Sequence, residues 1–156
     1  MNPPHLPASI AVALLTITML SVSPARADRC DDLAAQLARN ISSLKVGKTA
    51  ANAIALTHPA TTSMRLGCAS RNVTNEIFAS TESKKPSPAF YDVVASAAAL
   101  VFTIPKKDTL NGTTRCIKRI GLLRGYDIKT RYRRLDIHCT RTKAGTSVAI
   151  SRERDS

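Results

Sequence analysis

A chain of 156 residues with a formal net charge of +12 has room for one domain and a bias toward anionic partners. The absence of tryptophan and an aromatic content of 4% withdraw support for base-specific nucleic-acid recognition. Phosphate-loop, dinucleotide, G-x-S-x-G and H-E-x-x-H patterns are all missing, which leaves no template for the common nucleotide-dependent, esterase or metalloprotease chemistries.

Residues 8–22 carry no charge and include Ile10, Val12, Leu14, Leu15, Ile17, Met19 and Leu20, after which come Pro24 and Ala25-Arg26-Ala27. An apolar run closed by small residues two apart is what signal peptidase reads. A stretch of 15 uncharged residues is shorter than the roughly 20 that span a bilayer, so residues 1–27 read as a cleavable signal peptide. Asp28 and Arg29, both charged, argue against lipidation of Cys30. The remaining residues, 28–156, form one expected domain that loses one cation, Arg26, and keeps 22 Lys and Arg against 11 Asp and Glu.

All four cysteines, Cys30, Cys68, Cys116 and Cys139, lie in that domain. An even count in an exported chain predicts two disulfides. Successive gaps of 38, 48 and 23 residues are too wide for the close pairs that hold zinc. No metal or cofactor is therefore expected. Closing the nearest cysteines costs the least chain entropy, which favours Cys30–Cys68 and Cys116–Cys139.

In chain order, Leu33, Leu37, Ile41 and Leu44 recur at helical spacing, predicting a first helix over residues 30–45 that ends at Lys45, Gly47 and Lys48. Ile54 and Leu56, then Met64, Leu66 and Cys68, alternate about a loop of some six residues at 58–63 and predict a hairpin. Val73, Asn75, Ile77 and Ala79 extend it with a third strand, and residues 80–88 read as a polar loop. Phe90, Val93, Val94, Ala97, Ala98, Val101 and Phe102 predict a central core helix over residues 88–103, opened by Pro88 and closed by Pro105. Residues 108–120 fit a third helix, although Gly112 and two threonines weaken the pattern.

Beyond it, Tyr126, Ile128, Thr130 and Tyr132 alternate with Lys129, Arg131 and Arg133. The apolar set then changes phase to Leu135, Ile137 and Cys139. A bulge or sharp twist near Arg133-Arg134 accounts for that change, since a period-two pattern does not otherwise switch faces. A glycine-containing turn at 142–146 leads to a last strand with Val148 and Ile150 inward. The expected architecture is α+β: a small antiparallel sheet of about five strands, packed on one side by two or three helices and held by two disulfides.

Charge is uneven along the chain. Residues 28–114 hold 10 basic and 7 acidic side chains, whereas residues 115–156 hold 12 and 4. Arg124, Lys129, Arg131, Arg133, Arg134, Arg141 and Lys143 are the candidate anion-binding set, with Lys129, Arg131 and Arg133 at ~7 Å intervals along one strand face. The sequence points to a non-enzymatic exported protein of the bacterial periplasm or medium. Its expected partner is an anionic polymer or envelope surface (a polysaccharide, lipid head group or phosphate polymer) met through this region. One alternative is a small ribonuclease-like phosphodiesterase using His58 and His138, with Lys129 or Arg141 as its cation. A protein inhibitor or a structural envelope protein is another.

Overall fold

The computed structural model describes residues 27–152 apart from Asn72 and Leu122. The signal-peptide reading falls almost entirely outside the described residues. Helix α1 spans Ala27–Asn40 and buries Ala34 and Leu37. It stops five residues before the position expected from the leucine spacing. Ser43 takes a left-handed φ of 64°, and the chain turns so that Ile41 and Leu44 still reach the core.

Residues Lys45–Ala50 then form strand β1 rather than a helix ending. All six are exposed, so no burial alternation marks them. A register irregularity between Val46 and Thr49 carries Gly47 past strand β2 (Ala53–Thr57). Added there, a Cβ would lie 3.2 Å from the Ala55 carbonyl oxygen. Ala51 and Asn52, at φ 47° and 61°, join the two strands in the mirror-image turn that suits strand twist. Asn52 also donates its side-chain amide to the Cys68 carbonyl at 2.8 Å.

Strands β3 (Ser63–Gly67) and β4 (Glu76–Thr81) continue the meander. Val73 and Asn75 precede β4 instead of belonging to it. Asn75 accepts from the Ala69 amide at 2.7 Å and shapes the loop.

Ser87 caps helix α2 (Pro88–Phe102), accepting from the Phe90 amide, with Pro88 in the first turn where its missing N–H is harmless. Phe90, Val93, Val94, Ala97, Ala98 and Phe102 are buried as expected. Helix α3 (Lys106–Arg119) crosses it, and the Thr109 hydroxyl donates to the Ala95 carbonyl at 2.8 Å, tying the two helices together. Gly112, which weakened the helical pattern, is where α3 meets the sheet. A Cβ there would stand 2.7 Å from Ile137 Cδ1 and 3.1 Å from Tyr132 Cδ1.

Strands β5 (Asp127–Tyr132), β6 (Leu135–Thr142) and β7 (Gly145–Arg152) complete the sheet. The phase change at Arg133-Arg134 is neither a bulge nor a twist. Tyr132 pairs with Leu135, and the two arginines, at φ 51° and 65°, form a two-residue hairpin turn. Asn and Gly are the usual residues in such a turn, so an arginine pair conceals it.

The fold is α+β, with three helices on one face of a seven-stranded antiparallel sheet in the order β1-β2-β3-β4-β7-β6-β5. The count exceeds the expected five because β1 and the β5–β6 turn carry no clear pattern. Ile54, Leu66, Ile77, Leu135, Ile137, Val148 and Ile150 face the helices. Disulfides Cys30–Cys68 and Cys116–Cys139, with Cα separations of 5.7 and 6.1 Å, fasten α1 and α3 to the sheet. No helix among the described residues is long and apolar enough to cross a membrane.

Candidate functional site

With helices on one face, alternation along each strand sends the remaining side chains onto the open face. Cross-strand register there aligns Arg65, Phe78, Ala149, His138 and Lys129. The neighbouring row runs through Glu76, Ser151, Asp136 and Arg131. Arg65 lies over the Phe78 ring at 3.9 Å and also reaches Glu76 at 3.4 Å. Arg131 donates to the Asp136 carboxylate at 2.9 Å, and His138 Nε2 meets Asp127 Oδ1 at 2.8 Å. Lys129, Arg131, Asp136, His138, Glu76 and Ser151 line an open concavity of about 700 Å³.

The seven basic residues singled out by sequence do not form one stripe. Lys129 and Arg131 share the open face of β5, but Arg133 and Arg134 occupy the turn beyond it. Lys143 follows the far end of β6. The eight residues of β6 separate Lys143 from Arg134, which is ~30 Å along a strand at ~3.4 Å per residue. Arg124 belongs to that far end too, in the turn between α3 and β5, where Gly121 and Gly125 form an isolated bridge.

Arg141 points the other way. It pairs in register with Thr146 toward the helices, and Nη1 donates to the Ile120 carbonyl at 3.4 Å. Neither its buried Nε nor the buried Thr146 hydroxyl has a hydrogen-bond partner among the described residues. Burial raises the pKa of the nearby Tyr91 phenol, and the Arg141 charge opposes that rise. Arg141 therefore acts as a brace beneath the sheet end, with only part of its surface open to solvent.

The far end gathers Arg124, Arg141 and Lys143 of that set with Lys84, Lys118 and Arg119, which the set left out. Lys118, Arg119, Leu123 and Arg124 line one depression, and Lys84, Tyr126, Arg141 and Lys143 line another. Residues from α3, the turn, the β6–β7 connection and the loop before α2 converge there. Only topology brings together positions as distant as 84 and 143. One local signal existed in the sequence: Gly121 to Gly125 brackets an apolar pair and an arginine with no element-forming period.

The histidines do not meet. His58 follows β2, and its Nδ1 accepts from the Ala60 amide at 3.1 Å, an ordinary turn contact. Strands β3, β4 and β7 stand between β2 and β6, a separation of roughly 19 Å at ~4.8 Å per strand. No single phosphodiester spans that distance, so His58 and His138 do not form an acid–base pair. No group of three or more potential metal ligands occurs among the described residues. No protein-family model, curated protein or solved structure matches the chain.

Proposed function

We propose that this is an exported, non-enzymatic domain that binds an anionic polymer or envelope surface through the basic side chains of its C-terminal third. One observation carries the reading. The two carboxylates between residues 115 and 152, Asp127 and Asp136, are both engaged, with His138 and Arg131. Lys118, Arg124, Lys129 and Lys143 form no ion pair among the described residues. Their charge is not cancelled within the fold and remains available to an external anion. The two disulfides fit an oxidising compartment, and with the segment 1–27 they support export to the periplasm or medium.

Retention on immobilised heparin or lipopolysaccharide tests the reading. The oxidised protein is expected to bind at low salt and to elute at moderate salt, as contacts with exposed charges must. Arg124→Glu with Lys143→Glu should elute markedly earlier. Equal retention of that double variant would remove the C-terminal cations from the interface.

A second reading has one observation in its favour, the His138–Asp127 contact beside Lys129 and Arg131 in the open-face concavity. A carboxylate orienting an imidazole near two cations is an arrangement that phosphodiester cleavage can use. Turnover of RNA or a small phosphodiester that is lost in His138→Ala would favour it, and no turnover by the native protein would dismiss it.

A further inference from the structure

We infer that the turn between α3 and β5 is a tip that docks on an anionic phospholipid surface, with Leu123 entering the apolar boundary beneath the head groups. This rests on the anion-binding reading above and names its partner. Four large apolar side chains are exposed among the described residues, and Leu123 is the extreme case at 98%. Tyr126, at 54%, is three positions away.

The fold holds Leu123 out by construction. The Gly121 amide donates to the Gly125 carbonyl at 3.0 Å, and the Arg124 amide donates to the Gly121 carbonyl at 3.2 Å. Gly125 has φ +80°, a conformation that closes so short a turn. At its base Ile120 is buried, and Arg141 holds the Ile120 carbonyl. A turn of this kind is served by any polar residue, and a lone exposed leucine would mean little.

Its surroundings give it meaning. Between Asp108 and Asp127 the sequence has four cations and no acid. Lys118 and Arg124 flank Leu123 directly, while Lys84 and Lys143 flank Tyr126. Among the described residues no carboxylate lines either depression; Asp127, next in the chain to Tyr126, is already engaged with His138. An apolar tip in a cationic collar matches the layering of an anionic bilayer, with phosphates outside and hydrocarbon beneath. A polysaccharide offers nothing to the leucine.

Vesicles test this directly, because the chain contains no tryptophan and Leu123→Trp introduces a single reporter at the tip. With vesicles of equal parts phosphatidylglycerol and phosphatidylcholine, its emission should shift to the blue and be quenched by brominated acyl chains. Pure phosphatidylcholine should leave it unchanged. In the otherwise unaltered oxidised protein, Leu123→Ser should weaken partition about tenfold or more, the effect of withholding one leucine from an apolar phase. Its heparin retention should stay the same, as this substitution removes no charge.

Heparin binding with water-like Leu123→Trp emission and unaltered Leu123→Ser partition would overturn the docking tip and leave the anion-binding reading in place. Binding to neither matrix would overturn both. Equal partition into neutral vesicles would overturn the role of the cationic collar.

Discussion

Replacing the disulfides pair by pair distinguishes what each contributes. Cys30–Cys68 closes 38 residues and Cys116–Cys139 closes 23. Loop-closure entropy then assigns them about 3.9 and about 3.4 kcal/mol. Together this is about 7 kcal/mol, against a total stability of about 5–15 kcal/mol for ordinary domains. The two losses should differ in kind. Cys30 lies at the start of α1, which otherwise docks through Leu33, Ala34, Leu37 and the following Ile41 and Leu44. Cys116 and Cys139 are wholly buried and join α3 to β6, which is paired on both sides within the sheet.

Cys30→Ala with Cys68→Ala should therefore release α1 first. Its amides should exchange at rates set by local opening while β6 and β7 stay protected. Cys116→Ala with Cys139→Ala should lower the global urea midpoint by at least the closure term, with the buried sulfurs' packing lost in addition. Urea titration and amide exchange on each oxidised variant make the comparison. Variants within about 1 kcal/mol of the native protein would refute the closure argument, and four titratable thiols in the native protein would refute the bridges altogether.

Three further outcomes concern local substitutions. Gly112→Ala gains about 1 kcal/mol in helix propensity but drives a methyl into Ile137 and Tyr132. Overpacking costs about 1–3 kcal/mol, so a net loss near 1 kcal/mol and a Tm lower by roughly 2–6 °C are expected; a higher Tm would mean that α3 can move away from the sheet. Replacing Arg133-Arg134 by Asn-Gly should raise the urea midpoint by an amount equivalent to about 1 kcal/mol, because left-handed backbone disfavours residues with a Cβ. A fall in that midpoint would show that the two arginines make contacts worth more than the backbone relief. Burial raises the Tyr91 pKa, so the folded state keeps its phenolic proton longer than the unfolded chain does. That contribution is complete below the ordinary phenol value of about 10 and is lost as pH rises through the folded value. Urea midpoints measured between about pH 9 and 11 should fall less steeply in Tyr91→Phe, and parallel curves would show that Tyr91 has no part in the alkaline limb.

Much of the fold was legible because burial imposes a period on the residues that make the core. Leu33 and Leu37, Ile54 and Leu56, Phe90 to Phe102, and Ile137 and Cys139 all report the face they bury. Where burial stops, so does the signal. Strand β1 has six exposed residues and is held by backbone pairing with β2, which no side-chain pattern records. The Arg133-Arg134 turn was hidden because its residues are unsuited to the backbone they adopt. Nearest-neighbour pairing of the cysteines succeeded: one bridge ties α1 to the residue just after β3, and the other ties α3 to β6. The candidate site was only partly legible. Composition located the excess charge in the last third, but proximity of Lys84 to Lys143 depends on strand order.

Strand order also bears on where the cations lie, more at the sheet ends than across its face. A sheet covered on one side needs a polar surface on the other, or it recruits a second layer. Here the open face meets that need with paired polar side chains: Arg65 with Glu76, Arg131 with Asp136, and His138 with Asp127. Such pairs contribute little stability at an exposed surface. They do keep the face polar without concentrating charge of one sign. Lys129 is the exception on β5, and Arg124 and Lys143 lie in turns, where strand pairing supplies no carboxylate opposite them. The α3–β5 turn concentrates this arrangement, with Lys118 and Arg124 around a leucine that the core never uses. A balanced open face with cations gathered in the turns at its end is the distribution of charge that the proposed end-on contact with an anionic surface requires.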